Sequence, residues 1–503
     1  MVAPTGRTIV IVGGGTAGWM AAAALIRFSV PGTRIRLVES DRIGTVGVGE
    51  ATIPQIRLFN QGLGIDEDEF VRETQGSFKL GIEFAGWSGG DSRYIHAFGT
   101  IGRGLGLVPF HHYWLRRARN TGTGDYWDHS PTALAARENR FARDLGRPEL
   151  PSGVAWAFHF DAGLYAAYLR RYAEARGVER TEGEVAEVAR DSGSGHITEV
   201  ALSSSERIAG DFFVDCSGFR GLLIEEAMGA GYDDWSHLLP CDRALAVPSA
   251  NTGPLAPYTR ATAREAGWQW RIPLQHRTGN GLVYSSAHLP DDRAAEILLA
   301  NLDGAPLAEP KPLRFVTGRR RKAWVGNCVA LGLAAGFLEP LESTSIHLIQ
   351  SGIARLLELY PTEPISPADV DEYNAQTERE WIAIRDFLVL HYHANARPEP
   401  FWAECRAAAI PDTLRHRMKL FRQSGRVTTR EDDLFKEPAW VQVLLGQGVA
   451  PERHHPLADA LPPDRLDEFL RLARAHAAQV AARMPAHDQF IAAHCQATRK
   501  AAA

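Results

Sequence analysis

The triplet Gly13-x-Gly15-x-x-Gly18 lies between a β-branched apolar run and an alanine-rich one. In that context it points to one chemistry, the binding of a dinucleotide pyrophosphate. The first glycine permits a tight turn, the second lets the pyrophosphate approach the backbone, and the third allows close helix–strand packing. A helix N-terminus at this place favours the anionic phosphates. Glu39 ends the next apolar run, 21 residues after Gly18, where a carboxylate can hold a ribose hydroxyl pair. These glycines do not separate NAD from FAD. Two further segments favour FAD: Gly47-Val48-Gly49-Glu50-Ala51-Thr52-Ile53-Pro54, and Asp211 to Leu222, where an apolar strand runs into a Cys-Ser-Gly turn. A second group is Trp268-Gln269-Trp270-Arg271-Ile272-Pro273. Tryptophans two residues apart point to the same face of an extended strand and build a bulky aromatic wall. Pro273 ends that strand or sets its edge. By itself such a pair is more often the mark of a packed core.

The elements that must position these residues follow from periodicity. Residues 8–12 read as a buried strand, 17–28 as a helix and 34–38 as a second strand. This β-α-β start predicts a parallel sheet and an α/β class. Strand signals across residues 183–218 predict a meander returning to a second nucleotide-contacting segment, and residues 268–290 alternate like sheet. From about residue 345 the chain reads as helical, with amphipathic stretches at 345–359, 368–392 and 464–482. The expected division is an α/β part over 1–345 with interleaved mixed sheets, and a mainly helical part over 346–503.

The bulk numbers exclude several classes. The chain has 503 residues, 45% hydrophobic and 23% charged, with a formal charge of -5. That balance predicts neither a nucleic-acid surface nor an anionic-membrane surface. The one basic run, Arg319-Arg320-Arg321-Lys322, reads as a solvated turn before a strand. Five scattered cysteines show no metal-ligand spacing and no disulfide framework, so no metal is expected and a reducing cytoplasm is the natural setting. The N-terminal apolar run is too short for a signal peptide, and no stretch has the length of a membrane span.

With GGGTAGW, GVGEATIP, WQWRIP and LEPLEST in one chain, from about residue 8 to residue 460, the sequence resembles the flavin-dependent halogenases of the tryptophan-halogenase-like family. The resemblance implies an FAD-binding Rossmann-like core of the kind found in aromatic-hydroxylase flavoproteins, with a helical substrate-facing part. It implies FADH2 from a separate flavin reductase, with O2 and halide as co-substrates giving hypohalous acid. The acid is relayed to a lysine for electrophilic halogenation of an aromatic. Lys79 matches the catalytic lysine and Glu342 the catalytic glutamate; read without the family, Lys79 is a loop lysine and Glu342 a helix-start acid.

The resemblance also implies cofactor contacts at Gly13, Gly15, Thr16, Ala17, Gly18, Glu39, Glu50, Ala51, Val185, Leu333 and Ile346. Halide is expected at Thr344 and Ser345, where the family's Ser-Thr-Gly reads Ser343-Thr344-Ser345. The added Cβ narrows the site or demands a different φ, which leaves bromide and chloride both open. His96, Phe98 and Trp440 are expected on the substrate side. Trp268, Trp270, Ile272 and Pro273 are expected to partition substrate from flavin. No lid for free tryptophan is evident, so the expected substrate is an indole-like, electron-rich aromatic. A homodimer is compatible with this reading. The alternatives are a flavin-dependent aromatic hydroxylase and a non-enzymatic flavin-binding protein.

Overall fold

A computed structural model describes residues 6–42, 49–121, 124–143, 145 and 152–498; Gly47 and Val48 of the glycine-rich segment lie outside them. The chain divides into two compact units, each assembled from three stretches of sequence. The first comprises Met1–Gln75, Phe160–Ser236 and Phe315–Ile382; the second comprises Gly76–His159, His237–Arg314 and Ala383–Ala503.

The first unit is built on a six-stranded sheet in the order Trp324–Val325, Cys328–Ala330, Phe212–Asp215, Thr8–Val12, Arg34–Glu39, Glu179–Glu182. Thr8–Val12 runs parallel to both neighbours, with Ile9 opposite Phe212 on one side and Ile35 on the other. A strand in this position is covered on both faces, which is why it reads as a continuous apolar run without alternation. The helix Thr16–Phe28 packs against Ala162–Glu174 and Ser345–Glu358. Its consecutive buried alanines, Ala21 to Ala24, leave room for that approach. The expected meander forms from Val185–Arg190, Ile197–Leu202 and Arg207–Ala209, all antiparallel. Phe212–Asp215 leaves it: every residue of that strand is buried, and it joins the parallel sheet beside Thr8–Val12.

The basic run differs from its expected form. Gly318–Arg320 is a strand, and Arg319 and Arg320 are buried. Arg319 pairs with Asp233 at 3.0 Å and Glu378 at 2.6 Å, and Arg320 pairs with Glu225 at 2.8 Å. Carboxylates from distant segments make burial of these guanidinium groups tolerable, and local sequence gave no sign of them. Only Arg321 and Lys322 remain exposed.

The second unit is built on a seven-stranded sheet in the order Lys311–Arg314, Arg243–Ser249, Thr278–Tyr284, Gly267–Pro273, Thr259–Arg264, Gly81–Ala85, Arg93–Ala97. Thr259–Arg264 and Gly81–Ala85 are parallel, and the other neighbours are antiparallel. Gly267–Pro273 is thus an interior strand. Pro273 ends it, paired with Thr278 across a hairpin, and sets no sheet edge. From Ser345 to His494 every element among the described residues is helical. None of these helices is long and apolar enough to cross a membrane.

Candidate active site

In the first unit the glycine turn is held by close backbone approaches. Gly13 has φ 113°, and a Cβ there would lie 2.2 Å from the Cys216 carbonyl oxygen. A Cβ on Gly18 would lie 1.8 Å from the Gly13 carbonyl oxygen. A Cβ on Gly15 would meet nothing within 4 Å, so the middle of the turn is open. Those are the properties a pyrophosphate site requires of the three glycines. Glu39 lies over the turn, its Oε2 1.5 Å from where a Cβ on Gly14 would stand. It accepts hydrogen bonds from Arg180 Nε at 2.5 Å and Trp19 Nε1 at 3.3 Å.

Some of the other expected cofactor segments lie against this turn. The Cys216 N–H donates to Val12 O at 2.8 Å, which places the Cys-Ser-Gly turn against the end of Thr8–Val12. Gly183 N–H donates to Glu39 O at 2.9 Å, which brings the start of the strand Val185–Arg190 near the acid. A Cβ on Gly332 would lie 2.8 Å from Ala17 Cβ, so the turn carrying Leu333 abuts the start of the glycine helix. Thr16 Oγ1 donates to Ala162 O at 3.4 Å. Ala51 is buried, and desolvation pushes the neighbouring Glu50 carboxyl up to about 7. An open glycine turn with an acid at the strand end fits FAD on the residues present.

In the second unit Lys79 ends a fully buried three-residue strand, Ser77–Lys79, paired antiparallel with Ala157–His159. Its side chain is fully buried, and Nζ stands 5.3 Å from the centroid of the Phe98 ring. Ser77 Oγ donates to Pro273 O at 2.6 Å, tying the lysine strand to the last residue of the tryptophan strand. Trp268 and Trp270 are buried on one face, with ring centroids 6.2 Å apart. Gln269 points to the other, where Oε1 accepts from Arg264 and Nε2 donates to Asn301 O. Trp270 lies across Gly281: a Cβ there would meet its ring at 2.0 Å. Its indole N–H is buried with no hydrogen-bond partner among the described residues.

The comparisons with known proteins decide the family. A family model described as tryptophan halogenase matches residues 8–463. The chain belongs to the tryptophan halogenase family. A solved flavin-dependent halogenase from Xanthomonas campestris matches with a TM-score of 0.96 and 49% identity, covering 99% of this chain and 100% of that one. The flavin-dependent halogenase BrvH from Brevundimonas sp. BAL3 matches with a TM-score of 0.93 and 46% identity, covering 98% and 99%. Tryptophan 7-halogenase RebH from Lentzea aerocolonigenes is 33% identical over 96% of this chain and 98% of its own length. The protein is therefore an enzyme, a flavin-dependent oxidoreductase with an FAD-binding Rossmann-like core.

In this halogenase Glu342 closes a short 3-10 turn, Pro340–Glu342, and is buried. Ser343 follows in the left-handed region at φ 59°, and the helix Ser345–Glu358 begins after Thr344. The positive φ thus falls on Ser343 and not on Ser345, so the serine that replaces the family's glycine carries no backbone strain. Thr344 Oγ1 is buried with no hydrogen-bond partner among the described residues. Ile346, in the first turn of the helix, is buried.

His96 lies on the strand Arg93–Ala97, its ring 5.7 Å from Phe387 and 6.2 Å from Phe435. Trp440 packs edge-on against Phe387 at 4.8 Å, under the Arg417 guanidinium at 4.1 Å. Phe387 and Phe435 stack at 4.0 Å. Neither phenylalanine was legible as a site residue, because nothing in local sequence marks a packed ring. Gln442 anchors this group by bonding both the N–H and the carbonyl of Ala97, at 3.0 and 3.1 Å. Lys79 and Phe98 come together, whereas His96 and Trp440 share a cluster with rings the sequence did not single out.

Proposed function

We propose that this halogenase uses FADH2 delivered by a separate reductase, with O2 and halide, to halogenate an electron-rich, indole-like aromatic through Lys79. Reduced FAD, when bound, supplies the electrons with which O2 and halide give hypohalous acid. Every other part of the chemistry belongs to this chain's own groups. Lys79 holds the acid by a hydrogen bond from Nζ, which polarises the halogen toward the arene. The arene carbon bonds the halogen, the O–X bond breaks, and the ring proton leaves with the hydroxide as water. Glu342 is the carboxylate that stabilises the cationic arene intermediate. The glycine turn, Glu39 and the Leu333 turn hold FAD. Thr344 Oγ1 and the first N–H groups of the 14-residue helix Ser345–Glu358 receive the halide, which a helix N-terminus favours.

The observation that carries this reading is Lys79 itself. A fully buried lysine on an edge of three residues is costly to fold and is retained where its charge has work to do. The buried Trp268–Trp270 pair supports the partition role and disfavours a route for substrate to the flavin, as a hydroxylase would need. The ring cluster of His96, Phe387, Phe435 and Trp440 supports an aromatic substrate. The test is turnover with a flavin reductase, NADH, FAD and O2 on indole and on free tryptophan, with bromide or chloride, read by mass spectrometry. Expected is a halide-dependent product carrying the halogen isotope pattern, with indole preferred. Hydroxylated product formed without halide overturns the halogenation chemistry. Saturable turnover of tryptophan with indole inert overturns the substrate class.

A further inference from the structure

Two buried imidazoles flank the lysine strand, and neither belongs to the chemistry above. His159 lies opposite Ser77 in the paired strand, with Nδ1 3.0 Å from Ser77 Oγ and Nε2 3.0 Å from Thr259 Oγ1. His487 opens the helix His487–His494; its Nε2 is 3.1 Å from the Phe78 N–H and its Nδ1 is 2.8 Å from Leu255 O. Both side chains are buried. Alternation along a strand explains the second contact. In an antiparallel pair successive N–H groups face the partner strand and away from it in turn, and the Phe78 N–H is one that faces away, taking its acceptor from His487.

The partners fix the tautomers. Carbonyl oxygens only accept, so the Ser77 hydroxyl proton goes to Pro273 O and Ser77 Oγ is left to accept. His159 Nδ1 therefore carries a proton, and its Nε2 accepts from the Thr259 hydroxyl. By the same logic His487 Nδ1–H donates to Leu255 O, and its Nε2 lone pair takes the Phe78 N–H. A second proton on His487 would set a donor against the Phe78 N–H, and one on His159 would force the Thr259 hydroxyl to turn and accept. Burial disfavours the charged form of both rings. His159 faces Lys79 and His487, both of which add to burial in keeping it well below 6.5. Burial holds His487 down at about 4, against the opposing pull of its hydrogen bond to Leu255 O and of Asp488 on its own helix.

We propose that His159 and His487 are positioning residues for Lys79: a pair of neutral imidazoles, both protonated on Nδ1, that clamp Ser77 and Phe78 and fix the lysine strand against Pro273. The proton chain Thr259, His159, Ser77, Pro273 makes the last residue of the tryptophan strand and the lysine strand one hydrogen-bonded unit. This rests on the assignment of Lys79 above.

The test exploits atom position. Asparagine places an amide N–H where Nδ1 stands, and glutamine places an amide oxygen where Nε2 stands. His159→Asn keeps the donor to Ser77 and His487→Gln keeps the acceptor for Phe78, whereas His159→Gln and His487→Asn lose them. With indole, bromide and a saturating supply of reduced flavin, the first pair should keep kcat within about threefold and the second pair should lose about 10- to 100-fold. KM for indole and the rate of oxidation of reduced flavin should stay unchanged in all four. Equal kcat across the four variants, or a change confined to KM, overturns the clamp. Lys79→Ala runs in parallel: if it still halogenates, the role of Lys79 fails; if it is inactive while all four histidine variants are active, the clamp alone fails. Independent of activity, 15N-histidine spectra of the whole chain at pH 7 should show both rings as the Nδ1–H tautomer. An Nε2–H ring or an imidazolium at either position overturns it.

Discussion

The glycine turn Gly13–Gly18 and the lysine strand Ser77–Lys79 are built on opposite principles. In the turn the backbone is the functional part. The glycines matter for the side chains they lack, since a Cβ on Gly13 or Gly18 would strike backbone at 2.2 or 1.8 Å. Its glycines and its acid lie close in sequence, from Gly13 to Glu39, and only the segments that close in on them, at Cys216 and Gly332, are distant. In the strand, on the function proposed for Lys79, the side chain does the chemistry, and the parts that hold it come from far along the chain. His487 is 409 residues from Phe78, and Pro273 is 196 from Ser77. A local motif tolerates little change anywhere within it, whereas a long-range constellation can be loosened from several distant positions without touching the lysine.

The sharpest way to separate the two regions is Lys79→Ala. Halogenation should fall by roughly 10²- to 10⁴-fold while FAD affinity stays unchanged, measured by product mass spectrometry beside a flavin titration. Parallel loss of FAD binding would mean the two regions are not separable.

The next effect is one of pH and belongs to the strand. Folded His487 titrates at about 4 against an ordinary 6.5, so the unfolded chain takes the proton first as pH falls. Stability is therefore full above 6.5 and lost on the way down to 4, by on the order of 3 kcal/mol for this group. Urea unfolding at pH 7 and pH 4.5 should show that loss in the native chain, and a smaller one in His487→Gln. An equal loss in both would remove His487 from the account.

A matched pair of glycine changes compares the regions directly. Gly18→Val should weaken FAD binding by roughly 5- to 150-fold, the equivalent of the 1–3 kcal/mol of an overpacked contact. Gly281→Val, which strikes the Trp270 ring, should cost a similar free energy in unfolding and raise uncoupled oxidation of reduced flavin, with FAD affinity preserved. The smallest effect is expected at Thr344→Val, which removes a buried hydroxyl with no hydrogen-bond partner among the described residues. The halide KM should rise about two- to tenfold, in line with a single hydrogen bond, with little change in thermal stability. A drop in stability instead would make the hydroxyl structural.

Much of the scaffold was legible. The run TIVIV, the glycines after it and the alanine-rich stretch gave Thr8–Val12, the turn and the helix Thr16–Phe28 nearly to the residue. The helical stretches expected at 345–359, 368–392 and 464–482 appear as Ser345–Glu358, Pro367–His393 and Pro463–Ala482. The tryptophan strand and its shared face were legible too, since alternation is a local property. What was not legible depends on distant partners. Gly281 carries no local mark, and only the fold shows Trp270 lying on it. Arg319 and Arg320 read as solvated because Asp233, Glu225 and Glu378 are remote in sequence. Lys79 was identifiable only through resemblance to a family, since a three-residue strand is too short to show any period.

The sequence alone therefore determined the nucleotide turn, the α/β class and the tryptophan face, all of which depend on residue spacings within a few turns or strands. Only the tertiary structure decided that Lys79 is fully buried, that Ser77 is tied to Pro273, and that His159 and His487 stand neutral around it. The protonation state of a buried ring is set by whichever groups face it, and folding, not spacing, brings those groups together.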